Sequence, residues 1–183
     1  MKRWIAMIGF LLATGAGAGC AKTGSVQEKT PLTADLASYK SASVEIDIPS
    51  DVKNADTTKT QFVSDLGAKL KEKKIFADVP PGGGEMTLRV KVTKVDAGNK
   101  GLQAMGPPNM AGDAEISASV ELFDTKQNKV VGAFDVTGNS KSNTSASING
   151  ASTKSIEDTT GAAFGAAANE IVAYLEKHRA PAK

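Results

Sequence analysis

A single cysteine, a single histidine and a single tryptophan occur in this chain of 183 residues, and each scarcity narrows the chemistry open to it. With His178 as the sole histidine, a multi-histidine metal site cannot be built within one chain, and Ser-His-Asp and Cys-His constellations are not expected. Aromatic residues are only 5% of the composition, and most Phe and Tyr sit at core-like spacings, so an aromatic platform for bases or sugars is not expected. Long apolar runs are missing as well. Residues 4–13 (WIAMIGFLLA) are short of the roughly 20 apolar residues that span a bilayer.

What the amino terminus does have is the order of an export signal. Lys2 and Arg3 precede the apolar run, and a small-residue stretch at residues 14–19 (TGAGAG) leads to Cys20. Removing residues 1–19 takes away Lys2 and Arg3, which leaves 20 basic against 20 acidic side chains. The sequence pI of about 8.6 therefore belongs largely to the leader, and the mature chain offers no strong field to nucleic acid or anionic lipid.

Ala18-Gly19-Cys20 resembles the lipobox of bacterial lipoproteins, in which a diacylglyceride is attached to the cysteine and the chain is cut just before it. Gly17 stands where that family usually has Leu, which implies a permissive processing enzyme. Ala16-Gly17-Ala18 also fits an ordinary secretory cleavage site, so a soluble exported protein is the alternative. The resemblance implies acylation at Cys20, membrane lipid as the partner of that residue and, with Ala21 next, the outer membrane.

Residues 20–41 read as an attachment cysteine followed by a polar, flexible tether, residues 42–178 as one domain, and residues 179–183 as a tail. Val44, Ile46 and Ile48 alternate with Glu45 and Asp47, the mark of a strand with one buried face, closed by Pro49. Thr58 to Gln61 has the spacing of a capping box, and Phe62, Val63, Leu66 and Leu70 then fall on one face of a helix. Residues 75–79 (IFADV) read as a short strand ended by Pro80, Pro81 and three glycines. Met86, Leu88, Val90 and Val92 alternate with polar residues, and the slip at Val95 predicts a bulge or strand end. Residues 114–122 and 130–136 form a predicted hairpin around the turn-rich residues 124–128.

A Ser/Thr/Asn-rich link at residues 139–155 precedes a last helix expected from about Ser155 to His178. Its run at residues 161–168 (GAAFGAAA) suits a close approach to the sheet or, alternatively, a contact between helices of two copies. The expected fold is α+β: a two-layer sandwich with a four- or five-stranded, mostly antiparallel sheet covered by two helices.

The segments IFADV, VELFDTKQNKVVGAF and AANEIVAYLEKH, in this order, resemble uncharacterised bacterial envelope lipoproteins. The soluble domain of that group is similar to the amino-terminal domain of TolB and the periplasmic domain of the curli-export lipoprotein. The resemblance implies an accessory or assembly role in the envelope, with an envelope protein as partner and no agreed activity.

Chemistry at carboxylates alone is the enzymatic alternative, with Asp47, Asp51, Asp56, Asp113, Asp124 and Glu157 as candidates. Their positions at strand edges and helix starts fit solvation and capping better, so no catalytic site, no cofactor and no metal site is expected. Gly82 to Gly84 lack the Lys-Ser/Thr of a phosphate loop and read as a turn. The loop at residues 97–112 carries Leu102, Met105 and Met110, adaptable apolar side chains suited to contact with a partner. Two functional readings follow. One is a lipid-anchored, non-enzymatic interaction module on the periplasmic face of the outer membrane; the other is a soluble periplasmic protein that binds a small ligand.

Overall fold

The computed structural model describes residues 24–52, 54–98, 114–140 and 158–179. Five strands form one sheet: β1 (Gly24–Thr30), β2 (Ala42–Asp47), β3 (Met86–Asp96), β4 (Glu115–Asp124) and β5 (Lys129–Asn139). Two helices, α1 (Ala55–Glu72) and α2 (Asp158–His178), pack on one face of it. The spatial order is β1-β5-β4-β3-β2. All neighbours pair antiparallel except β2 with β3, whose parallel pairing needs a crossover, and α1 supplies it. The α+β two-layer architecture expected from the residue pattern is the one observed.

The alternation in β3 and β4 translates directly into burial. Leu88, Val90 and Val92 meet Leu122, Val120 and Ala118 across the ladder, all at most 3% exposed on the helix side. The register shifts between Val92 and Lys94, so the bulge inferred from the slip at Val95 falls at that place. Phe62, Leu66 and Leu70 of α1 and Phe164, Ile171 and Leu175 of α2 close the core, with Phe62 and Phe164 edge to face at 5.8 Å.

The small residues of α2 have a counterpart in the sheet. A β-carbon on Gly138 would lie 2.3 Å from the Ala163 carbonyl oxygen and 2.5 Å from the Ala167 nitrogen, so the helix backbone rests on β5 where no side chain fits. Ala163 and Ala167 are buried in that contact. The run at residues 161–168 thus serves packing within the domain on this face.

Three local expectations are corrected. Residues 24–41 are not a flexible tether: β1 pairs with β5 from Gly24 opposite Gly138, a 3-10 turn follows at Leu36–Ser38, and Leu36 is fully buried. An edge strand has little apolar surface to show, and β1 contributes only Val26 to the core, so its sequence does not alternate visibly. Residues 75–79 are not a strand but the exit of α1. Lys74 takes a left-handed φ of 53°, Lys74 N–H donates to Lys71 and Ile75 N–H to Leu70, the Schellman pattern, and Ile75 and Phe76 then tuck into the core. An isolated parallel bridge between Asp78 and Ser41, with the Ala77 and Asp78 N–H groups donating to Lys40 and Ala42 N–H to Asp78, joins this segment to the start of β2. Finally, α1 starts at Ala55 after a left-handed Asn54 with no side-chain cap, so Thr58 and Gln61 lie inside it rather than at its boundary.

Candidate interaction site at the open edge of the sheet

Where each strand begins and ends decides what the two ends of the domain can do. The start of β1, the end of β3, the start of β4 and the end of β5 share one end, since Gly24 pairs with Gly138 and Glu115 with both Asn139 and Asp96. Cys20 precedes Gly24 by four residues, a distance of at most about 14 Å along the chain. Cys20, Leu102, Met105 and Met110 all lie outside the described residues. The segment carrying the last three leaves and rejoins the domain at this same end, between Gly98 and Ala114.

The opposite end is tied by polar contacts. Tyr39 donates a 2.6 Å hydrogen bond to Asp124, which also accepts from the Gln127 backbone at 2.8 Å in the β4-β5 turn. These bonds hold the Asp124 carboxyl below its ordinary range, while burial, followed by the Asp124 contact, pushes the Tyr39 hydroxyl up to about 12. Glu85 accepts from Lys126 at 2.7 Å and from the Lys40 backbone at 2.7 Å, and the Lys126 contact leads in depressing its carboxyl. A β-carbon on Gly84 would stand 2.5 Å from the Ser43 nitrogen, so a glycine is required where this turn crosses the start of β2.

β2 is the edge of the sheet next to this tied end: among the described strands it pairs with β3 alone, over Met86 to Lys91. Its backbone polarity can be read from two bonds. The Ser41 carbonyl accepts from Met86 on the β3 side, and the Ala42 N–H donates to Asp78 on the other. With the two-residue period of a strand, Ser43, Glu45 and Asp47 present N–H and C=O to β3, whereas Val44 and Ile46 present theirs outward. Among the described residues, no backbone partner meets Val44 or Ile46 on that side.

An open depression of about 880 Å³ runs along this edge. On the helix side it is lined by Val44, Ile46 and, from α1, Lys59, Thr60 and Val63; on the outer side by Glu45, Asp47, Arg89 and Lys91. Arg89 lies 3.7 Å from the Glu45 carboxylate and 3.8 Å over the Phe123 ring, which fixes the guanidinium one strand in from the edge. On the outer face the charges carried by the edge strand itself are the two acids, backed across the ladder by Arg89 and Lys91 of β3, while Lys59 of α1 stands on the helix side.

The carboxylates singled out in the sequence are dispersed. Asp47 ends β2, Asp51 lies in an exposed turn, Asp56 opens α1 and Asp124 closes β4; Asp113 and Glu157 lie outside the described residues. Among the described residues, no three His, Cys, Asp or Glu side chains gather as a metal site. His178 sits in the last turn of α2, stacked on Tyr174 at 4.1 Å between ring centroids, with Nδ1 2.8 Å from the Tyr174 carbonyl oxygen, to which it donates. The open edge leaves no mark in the sequence that identifies it as one. The alternation of Val44 and Ile46 was visible, but which strand becomes the edge is decided by pairing over long range.

Fold and edge together define a two-layer α+β domain in which, among the described residues, the outer side of β2 is uncovered. Residues 32–143 match the family described as a domain of unknown function (DUF4410), and the chain belongs to that family. No curated protein matches in sequence. Among solved structures, a PelC dodecamer from Paraburkholderia phytofirmans is similar at 19% identity with a TM-score of 0.51, covering 87% of this chain and 99% of that one. A single-substitution variant of the same dodecamer matches at 18% identity and 0.53, with the same coverage. A minor lipoprotein from Acinetobacter baumannii matches at 13% identity and 0.40, covering 77% and 95%. The two PelC structures share the fold of this chain.

Proposed function

We propose that this protein is a lipid-anchored, non-enzymatic accessory or interaction module on the periplasmic face of the outer membrane. The observation that carries the reading is Cys20, the sole cysteine, directly behind a signal-like leader and four residues ahead of the sheet. An acyl chain on Cys20 would hold the β1 end of the domain within about 14 Å of the headgroups and turn the β2 edge and the Tyr39-Asp124 end toward the periplasm. The likeness to envelope lipoproteins of the TolB and curli-export type belongs to this reading and rests on the residue patterns. Because the PelC structures of the same fold are dodecamers, self-association is part of the proposal too, and light scattering of the purified mature chain measures it.

Fractionation tests the anchor. The wild-type protein is expected in the outer-membrane fraction and Cys20→Ser in the soluble periplasm or retained uncleaved. A wild-type protein found wholly in the soluble periplasm would favour export by ordinary cleavage after Ala18 and the small-ligand alternative.

A further inference from the structure

The two edges of the sheet are built differently. β1 carries features that stop a strand from accepting another: the register shifts between Glu28 and Thr30 and Pro31 follows at once, while Lys29 in the shifted stretch bonds inward to Asp135 of β5 at 2.8 Å. β2 has no lysine, pairs with β3 in unbroken register as far as Asp47, two residues before Pro49, and leaves the N–H and C=O of Val44 and Ile46 without a backbone partner among the described residues.

From this asymmetry we infer that the β2 edge is a docking site for an extended segment of a partner protein, which adds a sixth strand and carries apolar residues alternating with Lys or Arg. This inference rests on the reading of the protein as an interaction module and names the chemistry of its partner. The main chain of the segment would bond to Val44 and Ile46, the recognition mode in which a peptide joins an exposed sheet edge. Its apolar side chains would lie beside the nearly buried Val44 and Ile46 and against Val63, Thr60 and the aliphatic stem of Lys59 on α1, and the alternate side chains would stand opposite Glu45 and Asp47.

The acids select the occupant. A second β2 strand would set Glu45 and Asp47 of two copies against each other, and like charges opposed across strands are unfavourable. The β1 strand of a second copy brings a bulge and a following proline, which interrupt pairing after five residues. A basic extended segment meets neither obstacle. The edge also lies in the half of β3 away from the Cys20 end, so an anchored domain would keep it accessible.

The test uses the isotope-labelled mature chain and three amidated heptapeptides: Val alternating with Lys, Val alternating with Glu, and the Val/Lys composition sorted into two blocks. Hydrogen exchange is read residue by residue. Saturation with the Val/Lys alternating peptide is expected to slow exchange at Val44 and Ile46 about tenfold or more and to leave Ser43 and Glu45, already bonded to β3, unchanged. The double variant E45Q/D47N is expected to bind that peptide about fivefold more weakly at low salt. Val44→Pro, which removes one outward N–H and blocks pairing, is expected to abolish binding. Unchanged exchange at Val44 and Ile46 at saturation would overturn the inference. So would equal binding of the acidic or block peptide, or protection of both amides that grows with protein concentration without peptide, which would make the occupant a second copy. The exchange pattern is independent of Cys20 acylation, so failure of the anchor and failure of the docking edge are distinguishable.

Discussion

The Tyr174 hydroxyl donates a 2.8 Å hydrogen bond to the Glu28 carboxylate, joining the last helix to the first strand across 146 positions of sequence. Tyr174 also lies against Phe134 of β5 at 4.1 Å between ring centroids, so a single side chain ties together β1, β5 and α2. Tyr174→Phe is expected to lower the unfolding free energy by about 1.5 kcal/mol, and Glu28→Gln, which keeps an acceptor, by about 0.5 kcal/mol. Urea unfolding of the two variants checks both values. Equal stability of Tyr174→Phe and the wild type would mean that β1 is only loosely held.

The contact between α2 and the sheet predicts opposite signs for two glycine substitutions. Gly138→Ala drives a methyl group into the backbone of Ala163 and Ala167 and is expected to cost about 3 kcal/mol. Gly165→Ala meets nothing within 4 Å, in a helix, and is expected to add about 0.5–1 kcal/mol. Thermal melts of the pair separate close packing inside the domain from a role of the same run in contacts between copies, because the latter would make Gly165→Ala change the oligomeric state.

Acid and base should both act on the Tyr39-Asp124 end. Asp124 and Glu85 have folded-state values depressed below 3.8 and 4.5, so their contribution to stability is complete above those values and is lost as pH falls through the lower folded ones. Asp124→Asn is expected to flatten the acid limb of Tm against pH. Tyr39, raised from 10.0 to about 12, behaves in the opposite sense: its contribution is complete below 10 and is lost as pH climbs toward 12. Tyr174 is raised as well, chiefly by burial and then by its bond to Glu28, so neither of the two tyrosines should ionise near pH 10 while the domain is folded. Ultraviolet titration for tyrosinate reads this directly.

How much of this was legible in the sequence depended on where each segment lies. β3 and β4 are central strands packed under helices, so every second residue is apolar and the alternation is plain, down to the slip that becomes the bulge. β1 is an edge strand whose stability comes from main-chain pairing with β5 and from the Tyr174 bond, neither of which leaves a local pattern, and it therefore reads as tether. Ile75 and Phe76 are apolar because a Schellman turn delivers them to the core, and an apolar pair before a glycine run looks the same as a short strand. The docking edge was half legible. Val44 and Ile46 announce a strand, but its place at the end of the order β1-β5-β4-β3-β2 is a property of the whole sheet.

The mass of the amino-terminal peptide of the mature protein, purified from its native envelope, reads the chemical fate of Cys20. A peptide beginning at Cys20 and heavier by a diacylglyceryl group, with or without a third acyl chain, is the predicted result. An unmodified peptide beginning at Gly19, with Cys20 as a free thiol, would contradict it.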